Sequence, residues 1–183
     1  MTDQPKMSLE SSKDASDAPE REILTWELFG EASRELTEQI VTSGWIPDLI
    51  VAIARGGLIP AGAVSYAMDV KACGTMNVEF YTGVGQTLEE PQILPPLMDV
   101  SAMNGKRVLI VDDVADSGKT LKMVMDLVKE HGLSLDGETQ VKVDARCAVI
   151  YKKPVSIIDP DYVWRDTDKW INFPWSTLPT ITA

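Results

Sequence analysis

Two segments of this chain are apolar along most of their length, so neither of their faces is suited to water. They are PDLIVAIA (47–54) and RVLIVDD (107–113). A strand with one face in solvent would alternate polar and apolar residues, whereas a central parallel strand is covered on both faces. Because helix-like segments follow both strands, the pattern predicts an α/β fold with a mostly parallel, twisted sheet flanked by helices.

The helices of this fold are indicated by apolar residues at intervals of three and four. Thr25 can cap a first helix, and Gly44 can stop it. LIPAGAVSYAMD (58–69) is typical of a second helix, and residues 117–131 of a third. The inward face of the third helix is expected to comprise Leu121, Val124, Met125 and Val128.

The remaining segments are less regular. Further strands are expected at residues 70–80, 143–151 and 161–166. Residues 82–104 contain glycine, proline and scattered apolar residues without a clear period, which predicts a long connection. The first residues are polar, so we expect a disordered acidic tail over 1–21 and a single domain over 22–183.

The net charge of −11 argues against a broad nucleic-acid surface, which would need a basic face. No apolar run is long enough for a membrane span, and the amino-terminal residues do not resemble a signal peptide, so the cytoplasm is the expected location. The chain has one histidine, His131, which disfavours a metal cluster or a Ser-His-Asp device. Cys73 and Cys147 are expected to be buried, reduced thiols, although one disulfide remains possible.

The segment VLIVDDVADSGKT (108–120) carries a strand into three carboxylates and a small-residue turn. Successive backbone N–H groups at a helix start, together with the Ser117 and Thr120 hydroxyls, can bind an anion. Gly118 lets the backbone approach a phosphate closely, and Lys119 would oppose the helix dipole unless an anion lay beside it. The plainer interpretation is that Asp116 caps the helix and Lys119 is solvated.

A nucleotide P-loop does not fit this segment, because the glycine that it requires is replaced by Asp113. Asp112 and Asp113 would repel a triphosphate. Two neighbouring carboxylates suit vicinal hydroxyls, which donate hydrogen bonds to them, with a magnesium ion nearby as a further option. A ribose that carries a terminal phosphate would satisfy both the acids and the turn.

This segment resembles the signature of the type I phosphoribosyltransferases, which bind phosphoribosyl pyrophosphate (PRPP). The resemblance implies that Asp112 and Asp113 take the ribose 2- and 3-hydroxyls, and that residues 116–120 take the 5-phosphate. It also implies Mg²⁺ as cofactor, and a fold with a small hood and a flexible loop. IARGGLIPA (53–61) is similar to the family's pyrophosphate loop, so Arg55, Gly56 and Gly57 would meet the departing pyrophosphate; taken alone, Arg-Gly-Gly is equally a plain tight turn.

Two later segments, YKKP (151–154) and DKWINFPWS (168–176), resemble the purine-salvage branch with xanthine–guanine specificity. The resemblance implies that Lys153 bonds the purine 6-oxygen, that Trp170 stacks on the base and that Ile171 contacts it. It also implies that Asp116 handles a proton on the purine ring. Trp164 and Trp175 are expected to serve packing alone.

Two positions depart from the family pattern. Tyr81 matches a tyrosine of the flexible loop, but residues 82–105 contain no lysine or arginine, so closure there would act mainly by excluding water. Ser176 replaces an acid of the xanthine–guanine enzymes, which leaves the choice among xanthine, hypoxanthine and guanine open.

The expected activity is transfer of the phosphoribosyl group from PRPP to N9 of a purine, with release of pyrophosphate. Two alternatives remain: a non-catalytic PRPP-sensing regulator of the same fold, and a phosphoribosyltransferase for a pyrimidine. The expected partners are these small molecules, with no nucleic acid and no membrane. The apolar and aromatic residues near the end of the sequence are compatible with a homodimer or a higher homo-oligomer.

Overall fold

The computed structural model describes residues 20–83, 86–93, 104–133 and 141–182, and for residues 79–83 and 86–93 it describes the backbone alone. The expected tail, up to residue 19, and residues 94–103 of the expected connection lie outside the described residues. So does the side chain of Tyr81.

The described chain contains eight strands and three helices. The strands are β1 Arg21–Ile23, β2 Leu49–Ala54, β3 Cys73–Gly83, β4 Gln86–Ile93, β5 Arg107–Ala115, β6 Asp144–Lys152, β7 Tyr162–Asp166 and β8 Trp170–Asn172. The helices are α1 Trp26–Thr42, α2 Leu58–Met68 and α3 Lys119–His131.

Six strands form one sheet in the order β4-β3-β2-β5-β6-β7, and all neighbours are parallel except the edge strand β4. The apolar strands β2 and β5 lie side by side in its centre, where Val51 pairs with Ile110. The predicted mostly parallel sheet with flanking helices is therefore confirmed.

Alternate residues of β2 and β5 belong to two different cores, which explains why both faces of these strands are apolar. Ile50 and Leu109 pack in a core that includes residues of α1 and α2. Val51 and Ile110 pack in a second core with the inner side chains of α3, which are Leu121, Val124, Met125 and Val128 as predicted. The sheet is thus covered by helices on both faces.

The predicted helix starts and stops are also largely confirmed. The Thr25 side chain caps α1 by accepting a hydrogen bond from the Leu28 backbone N–H at 3.2 Å. Just past the end of this helix, Gly44 has a φ of 74°, a left-handed conformation that glycine adopts without a steric cost.

Three strands were not predicted. Residues 86–93, assigned to a long connection, form β4, which pairs antiparallel with β3. Its sequence contains Pro91, which is tolerated at a sheet edge but masks the strand pattern. The short strands β1 and β8 form a separate two-stranded parallel sheet in which Arg21 pairs with Trp170. This small sheet and the chain that follows it correspond to the expected hood.

Of the two cysteines, Cys147 is buried as expected, whereas Cys73 is exposed because it lies at the first residue of β3. Both thiols are free. Within the described ranges, none of the helices combines the length and the apolar character that crossing a membrane requires.

Candidate active site

Three neighbouring parallel strands bring the predicted site residues to one edge of the sheet. Residues 55–57 follow β2, Asp112 and Asp113 lie in the last part of β5, and Lys153 follows β6. Beside this edge lies a cleft of about 900 Å³. Its wall comprises Ile53, Ala54, Arg55, Gly56, Leu58, Ile59, Val78, Asp112, Asp113, Thr120, Trp175, Ser176, Leu178, Pro179 and Thr180.

The Arg-Gly-Gly turn is packed directly against β5. A Cβ atom on Gly56 would lie 2.5 Å from Cγ of Asp113, and one on Gly57 would lie 2.1 Å from the carbonyl oxygen of Val111. Neither position has room for a side chain. The peptide bond between Ala54 and Arg55 is cis. The close approach of Gly56 and Gly57 places the backbone of this turn against β5 and the Asp113 carboxylate. A turn that only connected β2 to α2 would not need such an approach.

Asp112 and Asp113 form a half-buried pair of acids. The backbone N–H of Asp113 donates to Oδ1 of Asp112 at 2.9 Å. In the side chains that the structure describes, no lysine or arginine forms an ion pair with either carboxylate. The charge of the pair is therefore not compensated by a cation of the described chain.

Burial controls the protonation of both acids. It raises the pKa of Asp112 well above its usual range, with the charge of Asp113 as the second cause. Burial also raises the pKa of Asp113 to about 6. Burial thus disfavours the charged forms of both acids; a cation would compensate this charge, and hydroxyl donors would stabilise it by hydrogen bonding.

The turn before α3 leaves backbone N–H groups available. The helix begins after Gly118, which has a φ of 74° and makes no capping hydrogen bond from a side chain. The Lys119 N–H donates to the Ser117 hydroxyl only at a long 3.5 Å, and the first turn of the helix contains no acid. Residues 116–120 therefore form an open helix start suited to an anion.

One interpretation of this turn is wrong. Asp116 does not cap α3, because the N-cap position is Gly118, a glycine in the left-handed conformation, and the helix starts at Lys119. The Asp116 side chain is instead exposed. Gly118 also has a packing role that the sequence did not indicate, since a Cβ atom there would lie 2.4 Å from Oγ of Ser156.

Lys153, Trp170 and Ile171, expected to bind a base, lie together on the other side of this turn. The Lys153 backbone N–H donates to the carbonyl oxygen of Ala115 at 3.0 Å, which places Lys153 next to Asp116. Its Nζ donates to the carbonyl oxygen of Lys169, beside β8. Trp170 is 67% exposed and Ile171 is half-buried. All three lie outside the wall of the cleft itself.

The two tryptophans expected to serve packing differ from each other. Trp164 is buried and donates from Nε1 to Glu35 at 2.7 Å, which confirms a packing role. Trp175 packs against Phe173 with ring centroids 5.0 Å apart, but it also lines the cleft.

The sequence did not identify several wall residues. Leu58, Ile59 and Val78 reach the cleft through the packing of α2 and β3, and residues 178–180 reach it because the chain turns back after Trp175. Leu58 and Ile59 lie within the segment IARGGLIPA but were given no role there, and Val78 and residues 178–180 belong to no quoted motif. Which of these residues reach the cleft depends on how the helices, strands and chain end pack in the folded protein, so the sequence could not predict it.

Comparison with known proteins identifies the domain. Residues 20–179 match the family model described as a phosphoribosyl transferase domain. The chain is 32% identical over 158 residues to a xanthine-guanine phosphoribosyltransferase of Gluconobacter oxydans, a match that covers 85% of this chain and 84% of that protein. It is 31% identical over 178 residues to a xanthine-guanine phosphoribosyltransferase of Ruegeria, with 90% and 92% covered.

The fold has a counterpart among solved structures. The crystal structure of a purine phosphoribosyltransferase from Pyrococcus horikoshii superimposes with a TM-score of 0.69 and 36% sequence identity. The superposition covers 89% of this chain and 98% of that one. The fold described above is therefore that of a known purine phosphoribosyltransferase structure.

Proposed function

This chain belongs to the phosphoribosyl transferase domain family, and we propose that it is a purine salvage enzyme that transfers the phosphoribosyl group of PRPP to N9 of a 6-oxopurine. The acceptor is xanthine, hypoxanthine or guanine, and the other product is pyrophosphate. The enzyme is thus a pentosyltransferase. The observation that carries this proposal is the meeting of the acid pair, Arg55 and Gly56 in one cleft.

The ribose and its phosphate are bound at the end of β5. Asp112 and Asp113 accept hydrogen bonds from the 2- and 3-hydroxyls, which offsets the cost of burying the two carboxylates. The 5-phosphate binds to the N–H groups and hydroxyls of residues 116–120, beside Lys119. The open start of α3 supports this assignment.

Pyrophosphate leaves on the side of the Arg-Gly-Gly turn. Arg55 and the Gly56 amide stabilise the charge that develops on the leaving oxygens. The Gly57 amide, predicted to do the same, is not available, because its N–H donates to the carbonyl oxygen of Ile53 at 2.8 Å. Mg²⁺ fits here, because Asp112 and Asp113 are two half-buried acids without an ion pair among the described residues. The acid pair would hold the ion directly or through water and PRPP oxygens, and the ion would neutralise pyrophosphate charge.

The base is held on the far side of the turn. Lys153 bonds the purine 6-oxygen, Trp170 stacks on the ring and Ile171 contacts it. In the reaction, N9 forms a bond to C1 of the ribose while the bond from C1 to the pyrophosphate oxygen breaks. Asp116 receives or relays the proton that the purine ring loses. Its exposure and its position beside Lys153 support this role.

The test is magnesium-dependent release of pyrophosphate from PRPP with xanthine, hypoxanthine, guanine, adenine or uracil as acceptor. We expect turnover with one or more 6-oxopurines. The preferred base then shows which of xanthine, hypoxanthine and guanine is accepted by a chain that has Ser176 in place of the acid. Turnover with uracil alone would overturn the purine assignment. PRPP binding without turnover on any base would favour a regulatory protein.

We also propose that the protein acts in the cytoplasm as a homodimer. The eleven residues of α2 contain no charged side chain, and Leu58 and Tyr66 of this helix are exposed. Asp69 and Lys71 follow the helix and line a groove with Tyr66. In a two-fold contact these two charges can pair reciprocally, so a second copy suits this face.

A further inference from the structure

The loop of residues 153–157, called the support loop below, lies against the turn before α3. The Lys153 N–H donates to the carbonyl oxygen of Ala115 at 3.0 Å. Further along the loop, the Ile157 N–H donates to the carbonyl oxygen of Ser117, also at 3.0 Å. Two backbone hydrogen bonds therefore join the support loop to this turn.

The support loop is itself held in place by hydrogen bonds and close packing. The Ser156 N–H donates to the carbonyl oxygen of Lys153 at 3.0 Å, and the Ser156 hydroxyl donates to that of Ile158 at 2.9 Å. A Cβ atom on Gly118 would lie 2.4 Å from Oγ of Ser156. The Ile157 side chain is 59% exposed. The hydrogen bond of Ile157 to the turn thus comes from its backbone, while most of its side chain faces solvent.

These hydrogen bonds fix the direction in which the turn presents its own N–H groups. The peptide bonds of the turn are trans, and the C=O and N–H of a planar trans peptide group point in opposite directions. Because the Ser117 carbonyl faces the Ile157 N–H, the Gly118 N–H of the same peptide group points away from the support loop. By the same geometry, the bond from Lys153 turns the Asp116 N–H away from the loop.

Both of these N–H groups are available to a ligand. Within the described residues, neither the Asp116 N–H nor the Gly118 N–H donates a hydrogen bond to another group of the chain. Gly118 is in the left-handed conformation and no side chain caps the helix, so the side chains of the turn do not fix its orientation. The support loop fixes it instead.

We infer that the support loop aims the Asp116 and Gly118 N–H groups at the 5-phosphate of PRPP, with Ile157 as a positioning residue that acts through its backbone N–H. This inference rests on the proposed phosphoribosyl transfer, which places the 5-phosphate at residues 116–120. Without the bond from Ile157, the peptide group between Ser117 and Gly118 gains rotational freedom, and binding phosphate must then pay for ordering it. Pyrophosphate binds at the other turn, after β2, so its affinity should not depend on this bond.

The experiment removes the Ile157 N–H and compares two ligands. In one variant the α-hydroxy acid analogue of isoleucine replaces Ile157, which turns the N–H into an ester oxygen and keeps the side chain. Ile157→Pro removes the same N–H. Ile157→Ala is the matched control, because it keeps the N–H and shortens a mostly exposed side chain. Calorimetric titration gives the dissociation constants of ribose 5-phosphate and of magnesium pyrophosphate.

We expect the ester variant and Ile157→Pro to bind ribose 5-phosphate about threefold to tenfold more weakly than the wild type, which is the usual effect of losing one hydrogen bond. Ile157→Ala should bind ribose 5-phosphate within about twofold of the wild type. Magnesium pyrophosphate binding should stay within about twofold in every variant. Thermal denaturation shows whether Ile157→Pro is folded, and if it is not, the ester variant decides.

An unchanged ribose 5-phosphate affinity in the ester variant would overturn the inference, and so would an equal loss in Ile157→Ala. A parallel loss of pyrophosphate affinity would also overturn it, because the support loop would then only stabilise the site as a whole. A wild-type protein that binds no ribose 5-phosphate and forms no nucleotide from PRPP would instead contradict the proposed function itself, which keeps the two failures distinct.

Discussion

Burial at the end of β5 raises the pKa of Asp113 from its usual 3.8 to about 6. An acid with a higher pKa in the folded chain binds more protons when folded, so its contribution to stability is best below pH 3.8 and declines as the pH rises through about 6. The burial of Asp113 therefore destabilises the free protein at neutral pH.

Replacing Asp113 by asparagine should consequently stabilise the free protein at pH 7. A shift of about two pKa units corresponds to at most roughly 3 kcal/mol, and partial exposure reduces it, so we expect a gain of about 1–2 kcal/mol. In thermal denaturation this is a rise in Tm of roughly 3–6 °C at pH 7, and little change near pH 4. An equal rise at both pH values would mean that the charge of Asp113 is not the cause.

The same carboxylates predict how PRPP binding depends on pH. Ionised Asp113 accepts hydrogen bonds and neutral Asp113 accepts them less well, so PRPP affinity should increase as the pH rises through about 6. The double change of Asp112 and Asp113 to asparagine should weaken PRPP binding and remove this dependence. Calorimetric titration between pH 5 and 8 measures both effects, and a wild-type affinity that is flat across this range would contradict the assignment.

Asp116 should affect a different step. Because it is exposed and does not cap α3, Asp116→Asn should leave the fold and the PRPP dissociation constant almost unchanged. It should lower kcat by roughly 100-fold if it moves a proton of the purine. Steady-state kinetics with PRPP and the preferred purine tests this, and a wild-type kcat in the variant would remove Asp116 from proton transfer.

At the scale of elements, the sequence predicted those strands and helices whose apolar residues pack directly against a core. β2, β5 and α3 are of this kind, because their side chains face a core directly. β1 and β8 are three residues each and exist because they pair with each other across the length of the chain. A pattern within three residues is too short to predict such a strand.

The site was predictable to the same extent. Asp112, Asp113, Arg55, Gly56 and Thr120 line one cleft because the carboxyl ends of neighbouring parallel strands share an edge. The part of the wall formed by residues 178–180 could not be predicted, since it depends on a turn fixed by side-chain and backbone hydrogen bonds to one carbonyl.

The contact between the turn after β2 and the end of β5 predicts a severe effect for Gly56→Ala. The added methyl would overlap the Asp113 carboxylate, whose Cγ would be 2.5 Å away, so either the Asp113 side chain or the turn at Gly56 must move. We expect a loss of about 1–3 kcal/mol in the free energy of unfolding and weaker PRPP binding.

Gly30→Ala is the control for this change. Gly30 lies within α1, and a Cβ atom there meets nothing within 4 Å. Alanine should therefore stabilise the helix by about 0.5–1 kcal/mol and leave PRPP binding unchanged. Urea denaturation and PRPP titration of both variants provide the measurement, and a stable Gly56→Ala protein with normal PRPP affinity would show that the loops tolerate separation.

At the scale of the whole molecule, a net charge of −11 opposes the association of two copies unless the contact lies on an uncharged face. Helix α2 offers such a face, with Tyr66 92% exposed. A helix that is apolar on all sides is normally covered on all sides, yet only Pro60, Ala61 and Val64 of α2 are buried. A second copy would supply the missing cover, with Asp69 of each copy beside Lys71 of the other.

Tyr66→Lys should therefore convert the proposed dimer to a monomer, because it would place two cations in the two-fold contact. Val41→Lys is the matched control, since Val41 is also an exposed apolar residue on a helix but lies on α1.

Light scattering after size-exclusion chromatography gives the mass of each protein. We expect the mass of two chains for the wild type and Val41→Lys, and of one chain for Tyr66→Lys. Because the turn formed by residues 55–57 directly precedes α2, the monomer should also bind PRPP less tightly. A monomeric wild type, or a Tyr66→Lys variant that remains dimeric, would show that this face is not where two copies meet.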